Sequence, residues 1–501
     1  MLYEVYLRSF ADSDGDGVGD LTGLRQHLPA LAEPGVDALW ITPFYRSPMA
    51  DHGYDAADHR DVDPLFSSLA DLDALLADAA EVGLAVLVDL VPNHSSSAHP
   101  AFQAALAAPP GGPERELYIF RDGRGPDGGE PPNNWMSVFG GPAWTRVPDG
   151  QWYLHLFDPG QPDWNWDHPA VRADHEATLR FWLDRGVDGF RIDVSHGLVK
   201  DGELRDNPPG LMLDNSGFRE DGEPRVWDQD GVHAIYRTWR AITDEYHARD
   251  GRPRVLIGET WVRDPARLAR YVRPDELHLT FSFSLLTAPW SAPAWRTVID
   301  TERTALAAVG APATWVLANH DVVRPVTRYG GGEVGTRRAR AALLTLLALP
   351  GVAVLYQGDE LALPQADVPP RHVRTRRSHA RGALCRAGTA PACRCPGRAT
   401  RRRTGSPRTE STRGCRSRPA GPDSRCSRRP AIRCRPGGSC AGRSRCAGPC
   451  RTCAATSCTG ATTHPRAASP STGRTPTGGP PARRPSNGRP QGRPPRWDRR
   501  E

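Results

Sequence analysis

The sequence predicts an α/β protein built on a (β/α)8 TIM barrel with a small domain inserted after the third strand. Eight short apolar stretches recur within the first 370 residues, and amphipathic helical segments separate most of them. Strands that alternate with helices are typical of parallel βαβ units, and eight units can close a barrel. The connection between residues 93 and 172 is too long for a simple loop, which predicts the inserted domain.

Each predicted strand is a short apolar segment. The eight are Tyr3–Leu7, Ala38–Ile41, Leu84–Val91, Gly189–Asp193, Val255–Glu259, Leu279–Phe283, Thr314–Leu317 and Val352–Tyr356. Apolar periodicity predicts helices between them, with Ser68–Glu81 and His175–Asp184 as clear examples. We therefore expect residues 1–94 and 172–370 to form the barrel and residues 95–171 to form the inserted domain.

The chain divides into an acidic body and a basic tail. Residues 1–370 carry a net charge of −22, whereas residues 371–501 carry +28, with 32 Arg, no Lys and all 11 Cys. The acidic body argues against nucleic acid or an anionic membrane as a partner. No apolar run of 18 residues and no signal-peptide pattern occurs. We expect a cytoplasmic monomer.

The tail has three interpretations. Its basic residues are typical of a nucleic-acid-binding tail, and its Cys residues of a metal module, although their spacing is irregular. The third interpretation is a frameshift in a GC-rich gene, because codons permitted for Arg386–Arg398, read two bases later, spell GRDGARVPLPWS. We favour the frameshift, and sequencing the gene across Pro369–Arg371 would test it. Since large apolar residues are nearly absent, we expect residues 371–501 to be disordered.

Polar side chains come at the ends of four predicted strands. After a single strand such a residue is more often a cap or a turn. The ends of parallel strands in a barrel meet at one mouth, however, so we expect these side chains to share a pocket. Three carboxylates and two His around one pocket suit the hydrolysis of a glycosidic bond. The set consists of His94, Arg191, Asp193, Glu259, His320 and Asp321.

The stretch GFRID places Arg191 and Asp193 two residues apart at the end of an apolar strand. A structural ion pair is one interpretation, since it is the usual fate of a buried Arg and Asp. The other is a catalytic carboxylate that the guanidinium keeps ionised. The residues alone leave both interpretations open.

The stretch DSDGDGVGD, which begins at residue 12, alternates acidic with small residues. Carboxylate oxygens at this spacing suit Ca²⁺. An EF-hand is excluded, because Gly23 occupies the position of the bidentate Glu. A solvated acidic turn remains the alternative to a structural calcium loop, which we favour.

Aromatic residues are frequent near the predicted mouth and in the predicted inserted domain. Tyr54 has an acidic residue on each side of it, which favours a role in stacking on a sugar ring. For the Trp residues of the insertion, an ordinary core position is the favoured interpretation. They are Trp135, Trp144, Trp152, Trp164 and Trp166.

Other enzyme classes lack their motifs. The sequence has no GxxxxGK[ST] phosphate loop, no HExxH zinc helix and no GxSxG nucleophile elbow.

Eight motifs together resemble the α-amylase superfamily, glycoside hydrolase family 13, in its α-glucosidase and oligo-1,6-glucosidase branch. They occur in the family's order and span residues 1 to about 365. The motifs are YEVYLRSFADSDGDGVGDLTGL, HGYDAADHR, DLVPNHSS, QPDWNW, GFRIDV, IGETW, ANHD and VLYQGDEL.

The resemblance implies a retaining double displacement. Asp193 would be the nucleophile and Glu259 the general acid/base. Asp321 would bind sugar hydroxyls and help to distort the ring. Arg191 would keep Asp193 ionised.

The resemblance also implies binding residues and one metal. His94 and His320 would bind hydroxyls of the transferred sugar, and Asp51 and Tyr54 would bind and stack on its non-reducing end. No organic cofactor is implied. The Ca²⁺ ligands implied are Asp12, Asp14, Asp16, the Val18 carbonyl and Asp20.

The subtype is less sharply defined. Val194 after the nucleophile is similar to the α-1,6-preferring pattern, but Trp164 replaces Leu in the QPDLN signature and Ser-His-Gly follows Val194 instead of the usual Ile-Asn. We expect an exo-acting α-glucosidase that hydrolyses α-1,4 and/or α-1,6 bonds of short oligosaccharides. Trehalose synthase, sucrose hydrolase and transglycosylase activities remain alternatives. An inactive product is a further alternative, because the eighth helix and the C-terminal β domain are not recognisable in the sequence.

Overall fold

Eight parallel strands close into a barrel in the computed structural model, which describes residues 1–208 and 225–366. The barrel order is β1-β2-β5-β9-β10-β11-β12-β13, with β13 paired to β1. The strands in chain order are β1 (Leu2–Val5), β2 (Ala38–Ile41), β3 (Tyr45–Arg46), β4 (Asp58–Val62), β5 (Ala85–Leu90), β6 (Phe120–Asp122), β7 (Trp144–Arg146), β8 (Gln151–Leu154), β9 (Gly189–Ile192), β10 (Val255–Gly258), β11 (Leu279–Ser282), β12 (Thr314–Val316) and β13 (Val352–Tyr356).

The predicted fold class is confirmed, and all eight predicted strands are present with ends that differ by at most two residues. β9 ends at Ile192 and β10 at Gly258, so Asp193 and Glu259 each come directly after a barrel strand. Close pairing of these strands requires glycine at Gly189, because a Cβ there would overlap the backbone of Val255.

Helices lie between most of the barrel strands. α3 begins at the predicted place, where Ser68 and Asp71 form a capping box. α5 begins six residues before its predicted start, because Pro169 is tolerated in the first turn and His168 caps it. The helices are α1 (Leu21–Arg25), α2 (Leu28–Ala32), α3 (Leu69–Glu81), α4 (Pro100–Ala107), α5 (Pro169–Asp184), α6 (Val232–Asp250), α7 (Pro265–Arg270), α8 (Phe283–Thr287), α9 (Ala292–Ala308), α10 (Pro325–Arg328) and α11 (Gly332–Ala348).

The long connection between β5 and α5 contains α4 and a three-stranded antiparallel sheet in the order β6-β8-β7. Trp135 and Trp144 are buried in an apolar cluster of this segment that also includes Val194 and Trp227 from the region after β9. Trp164 and Trp166 are buried in the main core. These four residues are therefore core residues, while Trp152 is half-buried.

Within the described residues, no helix is both long and apolar enough to cross a bilayer. The expectations about the tail concern residues 371–501, which lie outside the described part of the chain. The exact domain boundaries stay a prediction.

Candidate active site

Arg191 lies at the centre of the barrel mouth and contacts three carboxylates. Its Nη1 donates to Asp193 Oδ1 at 2.7 Å and to Asp89 Oδ1 at 2.8 Å, and its Nη2 lies 2.9 Å from Glu259 Oε2. The side chain is fully buried, and its guanidinium lies over the Trp40 ring at 4.7 Å from the centroid. The structure thus brings Arg191, Asp193 and Glu259 together, as the sequence predicted.

Two further donors hold Glu259. The backbone N–H of Val194 donates to Glu259 Oε2 at 2.9 Å, and the indole N–H of Trp261 donates to Oε1 at 3.0 Å. Val194 adopts a φ of 45°, a left-handed conformation that is an outlier for a β-branched residue. Such strain concentrates at functional sites, and here it accompanies an N–H that reaches Glu259.

Asp193 and Glu259 interact directly, and their pKa values are shifted in opposite directions. Burial raises the pKa of Asp193 well above its usual value; Arg191 opposes this, and the adjacent Glu259 adds to it. Burial also acts to raise the pKa of Glu259, but the charge of Arg191 and the hydrogen bonds from Val194 and Trp261 outweigh burial and lower it. The surroundings of the two carboxyls therefore shift their pKa values in opposite directions.

The predicted contact between Arg191 and Asp193 is present, and the guanidinium is shared with Asp89 and Glu259. The charge of Arg191 acts to lower the pKa of Asp193, against the effect of burial. That Arg191 keeps Asp193 ionised stays a prediction.

One side of the mouth is formed by Tyr54 and its partners. Tyr54 Oη donates to Asp89 Oδ2 at 2.9 Å, and its carbonyl oxygen lies 3.0 Å from His94 Nε2. Gln161, from the segment between β5 and α5, donates to Asp51 Oδ2 at 3.0 Å. Burial lowers the pKa of His94 to about 4, so its imidazole is neutral at neutral pH. Gln161 Nε2 thus contacts Asp51, Tyr54 and His94, so three of the predicted binding residues lie together.

His320 lies against the ring of Tyr54. The two rings stack with centroids 5.3 Å apart, and Tyr6 stacks on the other face of His320 at 5.4 Å. His320 Nδ1 lies 2.6 Å from Glu4 Oε1, and Nε2 lies 3.7 Å from Asp321 Oδ2. Burial acts to lower the pKa of His320, but Asp321 and Glu4 outweigh it and raise this pKa to about 9.

The acidic loop after β1 brings three of its predicted metal ligands together. Asp12, Asp14 and Asp20 each offer a carboxylate oxygen, and these oxygens lie within 4.8 Å of one another. Asp16 lies outside this group, and its Oδ1 accepts the N–H of Val18 at 2.6 Å. Three hard oxygen donors fit a hard cation such as Ca²⁺.

Sequence reasoning missed three residues of the mouth: Glu4, Asp89 and Gln161. Glu4 and Asp89 lie inside strands and are fully buried, and Gln161 is buried in the segment after β8. For Glu4 and Asp89, the sequence offered one signal: each is an acidic residue inside an apolar strand. A buried charge requires a partner, so such a residue indicates a polar contact inside the barrel.

The family described as "Alpha amylase, catalytic domain" matches residues 4–399. The chain belongs to the α-amylase family of glycoside hydrolases. Its motifs, its closed barrel and the carboxylates at the barrel mouth agree with that membership.

Curated relatives within the family include several α-glucosidases. A probable α-glucosidase of Rhizobium meliloti is 39% identical over 386 residues, covering 74% of this chain and 68% of the relative. An α-glucosidase of Culex pipiens is 36% identical over 375 residues, covering 72% and 62%. A trehalose-6-phosphate hydrolase of Escherichia coli is 37% identical over 377 residues, covering 72% and 65%. The chain thus spans about two thirds of the length of these relatives.

Solved structures show the same fold with other activities. An α-glucosyl transfer enzyme has a TM-score of 0.71 and 38% identity, over 79% of this chain and 74% of that chain. The trehalulose synthase MutB from Pseudomonas mesoacidophila MX-45 has a TM-score of 0.66 and 33% identity, over 74% and 66%.

Proposed function

We propose that this protein is an exo-acting retaining α-glucosidase that hydrolyses α-1,4 and/or α-1,6 bonds of short oligosaccharides. The observation that carries the proposal is the single guanidinium of Arg191 that contacts both Asp193 and Glu259 at the barrel mouth. Relatives named α-glucosidase support this choice among the family's activities.

Asp193 is the proposed nucleophile and Glu259 the proposed general acid/base. An inverting mechanism needs a water between its two carboxyl groups and a separation of roughly 6.5–9.5 Å. Asp193 and Glu259 instead interact directly, which favours a retaining mechanism. Before the bond breaks, the nucleophile Asp193 must be ionised and the general acid Glu259 must carry a proton.

The other residues have binding roles in this proposal. His94, His320 and Asp321 bind sugar hydroxyls, and Asp51 and Tyr54 bind and stack on the non-reducing end. The contact between Gln161 and Asp51 closes one side of the mouth. A closed side favours a terminal sugar over the middle of a long chain, and hence exo action.

The test is the release of p-nitrophenol from p-nitrophenyl α-D-glucoside. We expect Asp193→Asn to lower kcat by roughly 10³-fold or more, the scale of losing a nucleophile. We also expect azide to rescue Asp193→Gly by forming a β-glucosyl azide, which a merely structural role would not produce. Asp73→Asn, at an exposed ion pair with Arg185, is the matched control and should retain activity.

A substrate panel separates the alternatives. Maltose, isomaltose, sucrose, trehalose and trehalose 6-phosphate would be compared, and the products would be examined for transfer as well as for glucose. A folded protein without turnover on any α-glucoside would contradict the proposed function.

The second part of the proposal is a structural Ca²⁺ site formed by Asp12, Asp14 and Asp20. Their clustered carboxylates support it, and no catalytic step uses the ion. An oligosaccharide as substrate, a monomeric state and a cytoplasmic location remain predictions.

A further inference from the structure

Glu4 is a fully buried carboxylate inside the barrel that the proposed mechanism has not used. Its Oε1 accepts from two groups of one residue, the backbone N–H of His320 at 3.3 Å and the ring Nδ1 at 2.6 Å. Its Oε2 is buried without a hydrogen-bond partner in the described part of the chain. An unsatisfied buried carboxylate oxygen is costly, so packing alone does not explain an acidic residue at this position.

The contacts of Glu4 fix the imidazole of His320 in one orientation. Nδ1 is bound to Glu4, while the ring faces are held between Tyr6 and Tyr54. Rotation about the Cβ–Cγ bond would break the hydrogen bond and both stacks. Nε2 is therefore held on the side of Asp321, 3.7 Å from Oδ2.

Charged groups from several strands face His320. Glu4 on β1 and the adjacent Asp321 favour the imidazolium, and Arg191 on β9 opposes it. Asp89 on β5 also interacts with His320. Burial raises the pKa values of Tyr6 and Tyr54, so both phenols stay neutral. Burial also raises the pKa of Glu4, while its hydrogen bond and charge interaction with His320 act to lower it. Asp321 and Glu4 are therefore the acidic groups that favour the charged form of His320.

We propose that Glu4 is a positioning residue for the glucosidase reaction, which holds His320 through its contact with Nδ1 so that Nε2 faces the Asp321 carboxylate at the sugar-binding site. This inference rests on the proposed function. Glu4 acts through His320 and Asp321 and does not itself reach the sugar. Its role is thus distinct from that of Arg191, which contacts Asp193 and Glu259 directly.

The variant Glu4→Gln tests the negative charge of Glu4 separately from the shape of its side chain. Glutamine keeps the acceptor oxygen but removes the anion, so the pKa of His320 should fall from about 9 by about one to two units. Below pH 6 His320 stays protonated in both proteins, and kcat/KM on p-nitrophenyl α-D-glucoside should agree within about threefold. At pH 8 the variant should be slower by a further factor of about two to ten, because a pKa lowered by one unit leaves about half of His320 protonated and a pKa lowered by two units about a tenth.

Glu302→Gln is the matched control. Glu302 is another buried carboxyl, it accepts a hydrogen bond from Ser282, and burial raises its pKa. Its replacement should leave the pH profile unchanged. An activity deficit in Glu4→Gln that is equal at pH 6 and pH 8 would overturn the inference, because it would indicate a structural defect only.

A second measurement does not depend on turnover. The ring resonances of His320 would be assigned by their absence in His320→Gln and titrated by NMR in the wild type and in Glu4→Gln. A lower midpoint in Glu4→Gln supports the inference, and an unchanged midpoint overturns it. If the wild type is folded but cleaves no α-glucoside, the proposed function fails, whereas the titration still decides whether Glu4 sustains the charge of His320.

Discussion

At the scale of single residues, buried charges connect distant parts of the chain around the mouth. Lys200, the one lysine of the sequence, is buried, and its Nζ lies 2.9 Å from Asp163 Oδ2 and 2.7 Å from Asn93 Oδ1. It also donates to the carbonyl of Gly197. Lys200, in the region after β9, is therefore joined to Asn93 after β5 and to Asp163 before α5.

Replacing Lys200 should destabilise the fold through the charge that is left behind. In Lys200→Met, Asp163 remains buried without its cation, and we expect the free energy of unfolding to fall by about 3–5 kcal/mol. The double variant Lys200→Met/Asp163→Asn should recover much of this loss, since no uncompensated charge remains. Urea unfolding of both proteins measures the difference.

The control for this prediction is Arg337→Met, which breaks an exposed helical ion pair with Glu333. Such pairs contribute about 0–1 kcal/mol. Equal losses in the single and double variants would contradict the role assigned to the uncompensated charge of Asp163.

At the scale of elements, the acidic loop determines how β1 connects to α1. Asp20 caps α1 by accepting the N–H of Gly23 at 2.7 Å, and it also belongs to the carboxylate group proposed for Ca²⁺. A bound ion would neutralise the repulsion among these carboxylates and fix the start of the helix.

Calcium should therefore raise the melting temperature, and chelation with EDTA should lower it. An ion at 100 times its Kd adds about 2.7 kcal/mol, which corresponds to a shift of several degrees. Asp12→Asn should weaken this response, whereas Asp73→Asn, at an exposed ion pair on α3, should retain it. Identical melting curves of the wild type with calcium and with EDTA would exclude a stabilising site.

At the scale of the whole molecule, several buried histidines predict sensitivity to acid. Burial lowers the pKa values of His94, His175 and His196 to about 4 each. Each takes up a proton when the chain unfolds below its unfolded value of 6.5, so its contribution to stability is present above pH 6.5 and is lost as the pH falls to about 4. Asp89 and Asp359, with pKa values raised to about 6 and about 7, act in the opposite direction.

A single variant isolates this effect. His175→Phe keeps a ring beside Trp166 and removes the titration. Between pH 6.5 and pH 4, the wild type should lose up to about 1.4 kcal/mol per pH unit relative to the variant. Urea unfolding at several pH values measures this loss. A difference in the free energy of unfolding between wild type and His175→Phe that does not change with pH would disprove the prediction.

The sequence by itself determined the barrel and the side chains at its mouth. Strand periodicity and strand ends are local properties, so GFRID and ANHD predicted where Asp193 and Asp321 would lie. The helix start at Pro169 was missed because the six residues before His175 contain a single large apolar residue, Val171.

Only the tertiary structure decided which charged groups contact one another and which residue holds another in place. Arg191 is shared among three carboxylates, Glu4 binds His320 across the chain, and Lys200 binds Asp163. The physical reason is that the burial and the charges around one side chain come from elements that are far apart in sequence. No local sequence pattern contains that information.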